Sequence, residues 1–297
     1  MKVRRTLTGA GMAACLGCST RAPPAAKPSS PPAPPASSAA AAASTTSATA
    51  PPAADIQALR RACALGSALG CNDAGVAYLD GNGVAKDAKR AVELLSKACE
   101  QKFAMGCYNL GFAYESGSGV ARDAAEAARL YEQACDADVG IACNGLGNLR
   151  FSLDGERGPE TSLPLYRKAC ALSDAMGCVN LAYVLDSDGA TPSEIGRAAA
   201  LYEQGCKDQI ALGCTGFAGL LLAGRGVSKD PRRAVSVLRT ACRLDPALGC
   251  YMLGMALVHG AGVKRDPVTA RRQFDTACKA GHAEACAELG DLLSQKK

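Results

Sequence analysis

Apolar residues along positions 55–297 recur at the spacing of amphipathic helices, in pairs of short segments. From Ala88 to Cys99, apolar side chains return every three or four residues, which places them on one face of a helix. A second apolar segment begins at Cys107 and stops before Gly117, and glycine adopts the left-handed conformation at a helix end without steric cost. The pattern predicts two antiparallel helices joined by a short turn.

This two-helix unit repeats along the chain in step with its cysteines. Fourteen cysteines form seven pairs, the members of each pair are eight residues apart, and successive pairs follow at 36, 36, 35, 36, 36 and 36 residues. Such a period predicts an all-α fold over residues 55–297, a right-handed superhelical solenoid of seven αα-hairpins in which each hairpin contacts its neighbours. The pairs are Cys63 and Cys71, Cys99 and Cys107, Cys135 and Cys143, Cys170 and Cys178, Cys206 and Cys214, Cys242 and Cys250, and Cys278 and Cys286.

Aspartate marks the predicted start of several first helices, twelve residues before the first cysteine of the pair. A carboxylate there accepts hydrogen bonds from the free N–H groups of the first turn. Asp123 and Glu126 have the spacing of a capping box. Pro164 lies inside one first helix, which predicts that this helix begins late and that the array bends near residues 151–164. The other predicted caps are Asp87, Asp230 and Asp266.

A disulfide within each hairpin is the interpretation that the cysteine pairs favour. The turn brings the end of one helix close to the start of the next, and the leader described below predicts export to an oxidising compartment. Two-cysteine zinc sites are a second interpretation, although the C-x2-C spacing and the partner ligands are missing. Buried free thiols are a third. In the chain-entropy model each bridge contributes roughly 2–3 kcal/mol, which would supplement the small core of one hairpin.

Residues 1–18 have the layout of a bacterial lipoprotein signal peptide. A short basic stretch precedes a mildly apolar segment that is rich in small residues. Cys18 resembles the acylated cysteine of a lipobox, with Cys15 as the alternative, and a plain signal peptide is the simpler interpretation. Ser19, directly after the preferred cysteine, implies sorting to the outer membrane. Residues 19–54 are rich in Pro, Ala, Ser and Thr and predict a disordered linker that holds the solenoid away from the bilayer.

Charge and composition narrow the classes of function. The net charge of +5 comes from residues 1–54, and the rest of the chain has a net charge of zero. That balance gives no sign of the basic face that a nucleic-acid partner needs, and only 4% of residues are aromatic and able to stack on bases. His259 and His282 are the two histidines, and neither has the spacing of a metal site or a catalytic triad. We therefore predict no metal, no cofactor and no catalytic residue.

The recurring string A-C-x(5,6)-G-C-x-x-L-G-x-x-Y-x-x-G-x-G-V-x-x-D resembles the Sel1-like repeat, a relative of the tetratricopeptide repeat. The resemblance extends over about residues 55–297 and is clearest from Cys107 to Val120 and from Cys250 to Val263. The paired cysteines make the chain similar to the Helicobacter cysteine-rich protein group. The G-x-G-V loop is replaced at residues 154–158 and 186–189, on either side of the short third interval.

The resemblance implies that the second helix of each hairpin lines the concave face of the solenoid. The third and fourth positions after its cysteine are Leu or Phe and Gly or Ala in nearly every unit, which predicts core. The first and fifth positions vary, which predicts a surface where Asn and Tyr bind an extended peptide. An ordinary solvated helix face is the alternative. The predicted groove residues are Asn72, Tyr108, Phe112, Asn144, Asn148, Tyr183, Thr215, Tyr251 and Met255.

The resemblance also implies a function, a non-enzymatic scaffold for proteins or peptides of the envelope. Because members of the cysteine-rich group are often labelled penicillin-binding or β-lactamase, a weak enzyme acting on β-lactams or binding a peptidoglycan fragment is the alternative. Its sequence support is one Ser-x-x-Lys match, Ser294 to Lys297, without the partner motifs of serine β-lactamases. A secreted factor recognised by a host is a third hypothesis. Membrane contact is expected through the lipid anchor alone, and no nucleic-acid partner is expected.

Overall fold

Residues 55–187 and 189–294 are described by a computed structural model, and they fold into α-helices and one 3-10 helix, without a β-strand. The predicted signal peptide and linker, with Cys15 and Cys18, lie outside these residues. No helix in the described part is long and apolar enough to cross a membrane. The helices are α1 (Ile56–Ala64), α2 (Ala68–Asp80), α3 (Ala88–Glu100), α4 (Ala104–Ser116), α5 (Ala124–Asp136), α6 (Gly140–Leu153), the 3-10 helix (Gly155–Arg157), α7 (Gly158–Ala171), α8 (Ala175–Leu185), α9 (Pro192–Lys207), α10 (Ala211–Ala223), α11 (Pro231–Leu244), α12 (Pro246–His259), α13 (Pro267–Lys279) and α14 (Ala283–Ser294).

The helices form seven αα-hairpins stacked in a solenoid, as the sequence predicts. Each second helix packs against the first helix of its own hairpin and, where a further hairpin follows, against the next first helix. Second helices of neighbouring hairpins also pack against each other, as α2 does with α4 and α6 with α8. Among the described residues, no two first helices share a comparable interface. The second helices therefore line the inner side of the array, and the first helices form its outer side.

Every predicted cysteine pair is bridged within its own hairpin. The Cα atoms of a pair are 4.3–4.7 Å apart, which is the lower part of the usual range for disulfides. In five of the seven hairpins a glycine before the second cysteine eases this approach, and a Cβ on Gly106, for example, would lie only 2.6 Å from the Cβ of Ala98. The bridges therefore close the turn of each hairpin and do not link one hairpin to another.

Aromatic residues of the first helices fill the space between hairpins. Tyr131 and Tyr166 are fully buried and Tyr202 is 3% exposed, so these tyrosines belong to the core. A glycine of the preceding second helix faces two of these rings, Gly111 for Tyr131 and Gly147 for Tyr166. A methyl group at either glycine would overlap the ring, so the alternation of large and small residues sets the distance between hairpins.

The four predicted aspartate caps are confirmed, with one difference at the capping box. Asp123 accepts hydrogen bonds from the first turn of α5, but the Glu126 side chain pairs with Arg129 at 2.6 Å and does not return to the cap. A reciprocal box forms at Thr191 and Glu194, at the start of α9. The other predicted caps, each accepting from a first-turn N–H group, are Asp87, Asp230 and Asp266.

The prediction that the helix containing Pro164 begins late is wrong. α7 begins at Gly158 and continues through Pro164 to Ala171, directly after the 3-10 helix. Proline lacks the N–H group that would bond to the carbonyl of Glu160. Both residues are exposed, so water can solvate that carbonyl and the helix tolerates the lost bond.

Candidate functional site

The inner side of the solenoid carries the residues that the sequence predicts as a binding groove, but many of them are not exposed. Asn144 is 2% exposed, and Asn72 and Tyr108 are each 7% exposed. The prediction that these positions form a surface is wrong for five residues, because neighbouring second helices converge and cover them. The buried five are Asn72, Tyr108, Asn144, Asn148 and Thr215, whereas Phe112, Tyr183, Tyr251 and Met255 stay partly exposed.

The buried asparagines form hydrogen bonds between neighbouring second helices. Asn109 on α4 donates to the side-chain oxygen of Asn72 on α2, at 2.8 Å. Asn180 on α8 donates to Asn144 at 2.8 Å and to Asn148 at 3.1 Å, both on α6. Buried side-chain amides are normally hydrogen-bonded, and here these bonds connect neighbouring hairpins and are not available to a ligand. Asn109 and Asn180 were not predicted, and they stand at the second position after the cysteine, one position later in the repeat than Asn72 and Asn144.

The buried tyrosines next to these asparagines are hydrogen-bond donors, not bases. Tyr131 donates to a carboxylate oxygen of Glu115 at 2.6 Å, and Tyr166 donates to Asn148 at 2.9 Å. Burial holds the pKa of both hydroxyls well above the usual value, and it raises the pKa of Tyr108 to about 12. These hydroxyls therefore remain protonated at physiological pH.

A row of partly exposed apolar side chains runs along the inner side of the first six hairpins, and we call it the inner row. Its members stand at the fifth or the eighth position after the second cysteine of their hairpin, and these two positions share one face of the second helix. Phe151 and Tyr183 contact each other across two hairpins, with ring centroids 5.8 Å apart. The inner row consists of Val76, Leu79, Phe112, Phe151, Tyr183, Leu222, Met255 and Val258.

A cavity of about 570 Å³ opens at the first hairpin, at one end of the inner row. Its lining is apolar at Leu69, Val76 and Met105, and Asp55, Asp73 and Asp80 add three carboxylates. No lysine or arginine lines this cavity. The lining therefore combines apolar surface with negative charge.

The second helices as a set are acidic. Within the described helices of this set, Arg150 is the single Lys or Arg residue. The acids of these helices are Asp73, Asp80, Glu115, Glu284, Glu288 and Asp291. These acids lie on α2, α4 and α14, so the negative charge is concentrated at the two ends of the inner side, where it favours basic partners.

The residues considered for catalysis or metal binding are not brought together. Ser294 ends α14, where its hydroxyl donates to the carbonyl of Asp291 at 2.8 Å, and Lys297 lies outside the described residues. His282 stacks on Tyr251 with ring centroids 4.3 Å apart, and its Nδ1 accepts from the N–H of Ala285. Within residues 55–187 and 189–294, no three His, Cys, Asp or Glu side chains converge as metal ligands.

Comparison with protein families accounts for the repeat. The model of the Sel1 repeat matches residues 68–103, 104–139, 140–174, 175–210, 209–246 and 247–282. The chain belongs to the Sel1 repeat family. Each Sel1 repeat begins with a second helix and ends with the first helix of the next hairpin, so α1 and α14 flank the six repeats at the two ends. No curated protein sequence matches this chain.

Two solved structures with a TM-score above 0.5 show the same fold, and a third structure is similar over a shorter part of this chain. A Sel1 repeat protein from Oxalobacter formigenes is 24% identical, with a TM-score of 0.66 over 75% of this chain and 90% of that one. A protective antigen present in uropathogenic Escherichia coli strains, which displays an SLR fold, is 21% identical with a TM-score of 0.51 over 81% of this chain and 60% of that one. Cysteine rich protein B of Helicobacter pylori is 25% identical with a TM-score of 0.35 over 45% of this chain and 96% of that one.

Proposed function

We propose that this Sel1 repeat protein is a scaffold of the bacterial cell envelope, anchored by lipid, which binds an extended segment of a partner protein along its inner row. Sel1 repeat proteins are generally scaffolds for protein–protein interaction rather than enzymes. The observation that carries the proposal is the inner row itself, in which each second helix from α2 to α12 presents at least one partly exposed apolar side chain on the same side of the array. Rigid helical repeats with such a surface bind extended polypeptides.

The charge of the inner side indicates which charge the partner segment should carry. Asp73 and Asp80 border the cavity at the first hairpin, and Arg150 is the one basic residue within the described second helices. A segment with several apolar side chains and a basic end would complement both features. We therefore propose a basic, apolar segment of an envelope protein as the ligand.

Anchoring is proposed from the leader. The segment before Cys18 combines a basic start, a mildly apolar stretch and a small residue directly before the cysteine. Acylation at Cys18, or at Cys15, would hold the solenoid at a membrane surface, where Ser19 implies the outer membrane. The oxidising compartment beyond the inner membrane is also where seven disulfides persist.

Site-specific photo-crosslinking in intact cells tests the ligand. A photoreactive residue at Phe112 or Tyr183 lies in the inner row, and one at Glu132 lies on the exposed outer face of α5 as the control. We expect one partner segment to be captured from the inner positions and not from Glu132. That segment should be apolar and basic.

The captured segment is then synthesised and titrated onto the purified full chain. Phe112→Ser and Tyr183→Ser should each weaken its affinity about tenfold, because a buried aromatic contact commonly contributes at least about 1.4 kcal/mol to binding. Capture that is equal at inner and outer positions, or an acidic segment whose affinity ignores both substitutions, would contradict the proposal.

A further inference from the structure

The solenoid separates its charges between its two sides, although the folded part has no net charge. Nearly all lysines and arginines inside helices lie on first helices, on the outer side. The prediction that this net charge leaves no basic face is therefore wrong, because a charge balance over the whole chain does not record where each charge lies. Among the described first helices, the excess of basic over acidic residues is greatest on α11, which has four arginines and no acid, and α13 beside it has three basic residues and one acid.

Helix α11 shows how this face is built. Its buried side chains, which include Val235 and Leu238, pack towards the core. Arg232, Arg239 and Arg243 are exposed on the opposite side of the helix, at spacings of seven and four residues. Arg232 and Arg239 are about two turns apart and Arg239 and Arg243 about one turn apart on the same side of the helix, so they form one basic stripe.

Contacts between first helices place the neighbouring stripes beside this one. Arg233 of α11 pairs with Glu203 of α9 at 2.6 Å, and the Sγ atom of Cys242 in α11 lies 3.4 Å from the Oε1 atom of Gln273 in α13. The exposed basic residues of the three helices therefore share one surface. We call this surface the basic outer face, and it consists of Arg197, Lys207, Arg232, Arg239, Arg243, Arg272 and Lys279.

Acidic residues near the basic outer face are already engaged. Asp230 and Asp266 accept hydrogen bonds from the first turns of α11 and α13, where the positive end of each helix offsets the carboxylate. Asp275 pairs with Lys279 at 2.7 Å. By contrast, the three acids of α5, which include the exposed Glu132, outnumber its one arginine. Helix α11, with four arginines and no acid, therefore carries the largest excess of positive charge among the described helices.

Two apolar side chains are exposed within the basic outer face. Val268 is 62% exposed on the same side of α13 as Arg272, and Leu244 is 36% exposed next to Arg243. Apolar side chains among arginines are typical of surfaces that rest on a bilayer, where the apolar groups enter the headgroup region. The aromatic residues of α9 and α13, Tyr202 and Phe274, are buried, so this face has no platform for stacking bases.

We propose that the basic outer face docks on an anionic phospholipid bilayer. The last three hairpins would lie with their first helices against the lipid headgroups, and the inner row would be turned away from the bilayer towards the partner. This adds a second membrane contact to the lipid anchor, which the sequence predicts as the only one. The proposal does not depend on the ligand of the inner row.

Vesicle binding by two charge-matched variants tests the proposal. Both are full chains with Cys15→Ser and Cys18→Ser, so that no lipid is attached and the basic leader is the same in each. One variant carries Arg232→Gln, Arg239→Gln and Arg243→Gln. The control carries the same loss of charge on exposed residues of α1 and α3, as Arg60→Gln, Lys89→Gln and Lys97→Gln.

Co-sedimentation is measured with phosphatidylcholine vesicles, with and without phosphatidylglycerol, and circular dichroism verifies that both variants are folded. We expect the α11 variant to bind the anionic vesicles about tenfold more weakly than the parent, because each basic residue near an anionic surface adds to the attraction. The control should stay within about twofold of the parent, because its residues lie far from the bilayer and are screened.

Three outcomes would overturn the proposal. Equal losses in both variants would assign the binding to net charge or to the leader. Equal binding of the parent to vesicles without phosphatidylglycerol would remove the role of charge. Tighter binding to duplex DNA than to anionic vesicles at the same salt concentration would assign the face to a nucleic acid.

Discussion

At the scale of single residues, two kinds of position determine how the helices meet, one in the G-x-G loop after a second helix and one in the turn inside a hairpin. The second glycine of the G-x-G loop lies against the first turn of the preceding first helix, with no room for a side chain. A Cβ on Gly262 would overlap the carbonyl oxygen of Pro231, and one on Gly119 would overlap that of Ala88. The turn between the helices of a hairpin also uses a positive φ, which Gly281 adopts freely. The same turn position is occupied by four non-glycine residues, Lys102, Asp138, Ser173 and Gln209.

Substitution of Gly281 and of Gly262 by alanine should separate the cost of a positive φ from the cost of a steric overlap. Gly281→Ala meets no atom within 4 Å, so only its φ of 94° opposes the side chain, which costs about 1–2 kcal/mol. Gly262→Ala adds the overlap with Pro231, and overpacking of this kind costs roughly 1–3 kcal/mol more. Chemical denaturation of both variants measures the difference. Equal destabilisation of the two variants would show that the loop at Gly262 is not tightly packed against α11.

At the scale of helices, capping aspartates face different surroundings and should respond to pH in opposite directions. Asp174 caps α8 and accepts from the N–H of Gly177 at 2.7 Å, but burial raises its pKa. Asp266 caps α13 in a more exposed place, where hydrogen bonds from Thr269 lower its pKa. The folded state therefore favours the protonated form of Asp174 and the charged form of Asp266.

The pH dependence of stability should reveal this contrast. The folded-state pKa of Asp174 is raised, so its protonated form stabilises the folded protein at low pH. This contribution to the free energy of unfolding is lost as pH rises from the unfolded-state pKa through the folded-state pKa. Asp174→Asn keeps a capping oxygen and should remove that decrease. The charged form of Asp266 stabilises the folded protein above its unfolded-state pKa, and this stabilisation is lost as pH falls through the lowered folded-state pKa. Asp266→Asn should therefore remove the part of the stability loss in acid that comes from this group. Denaturation of both variants between neutral and acidic pH checks the signs, and identical profiles would contradict the assignment.

The helices themselves were predictable from the sequence because their signals are local. Aspartate caps, glycine stops and the three-and-four spacing of apolar residues all lie within one hairpin, and the structure confirms them. The predicted box at Asp123 is half formed because Glu126 has a closer cation in Arg129. The start of α7 was predicted wrongly because an exposed Pro164 removes one hydrogen bond without breaking the helix.

The inner side was less predictable, because its exposure depends on contacts between hairpins. Asn72 and Asn144 vary like surface residues, yet the neighbouring second helices bury them. Their partners, Asn109 and Asn180, are recognisable only once the approach of those helices is known. Phe112 and Tyr183, one helical turn further on, do remain partly exposed.

At the scale of the whole molecule, stability is distributed over units that are bridged separately. Because each disulfide closes a single hairpin, removal of one bridge should weaken that hairpin and leave distant ones folded. In the variant Cys99→Ala with Cys107→Ala, we expect a local loss of roughly 2–3 kcal/mol. Hydrogen exchange should rise in α3 and α4 and stay unchanged in α11 and α12. A uniform rise along the chain would show that the array unfolds as one unit.

The position of the bridges also determines how the protein would behave under tension. A chain held at one end by a membrane and at the other by a bound partner is pulled along its length. A repeat of 36 residues, fully drawn out, spans about 120 Å. The bridge between Cys99 and Cys107 takes the eight-residue turn out of the load path, which shortens that span by roughly a fifth. Each hairpin would then lengthen by a limited step, and its two cysteine-bearing helix ends would remain joined and ready to refold when the load falls.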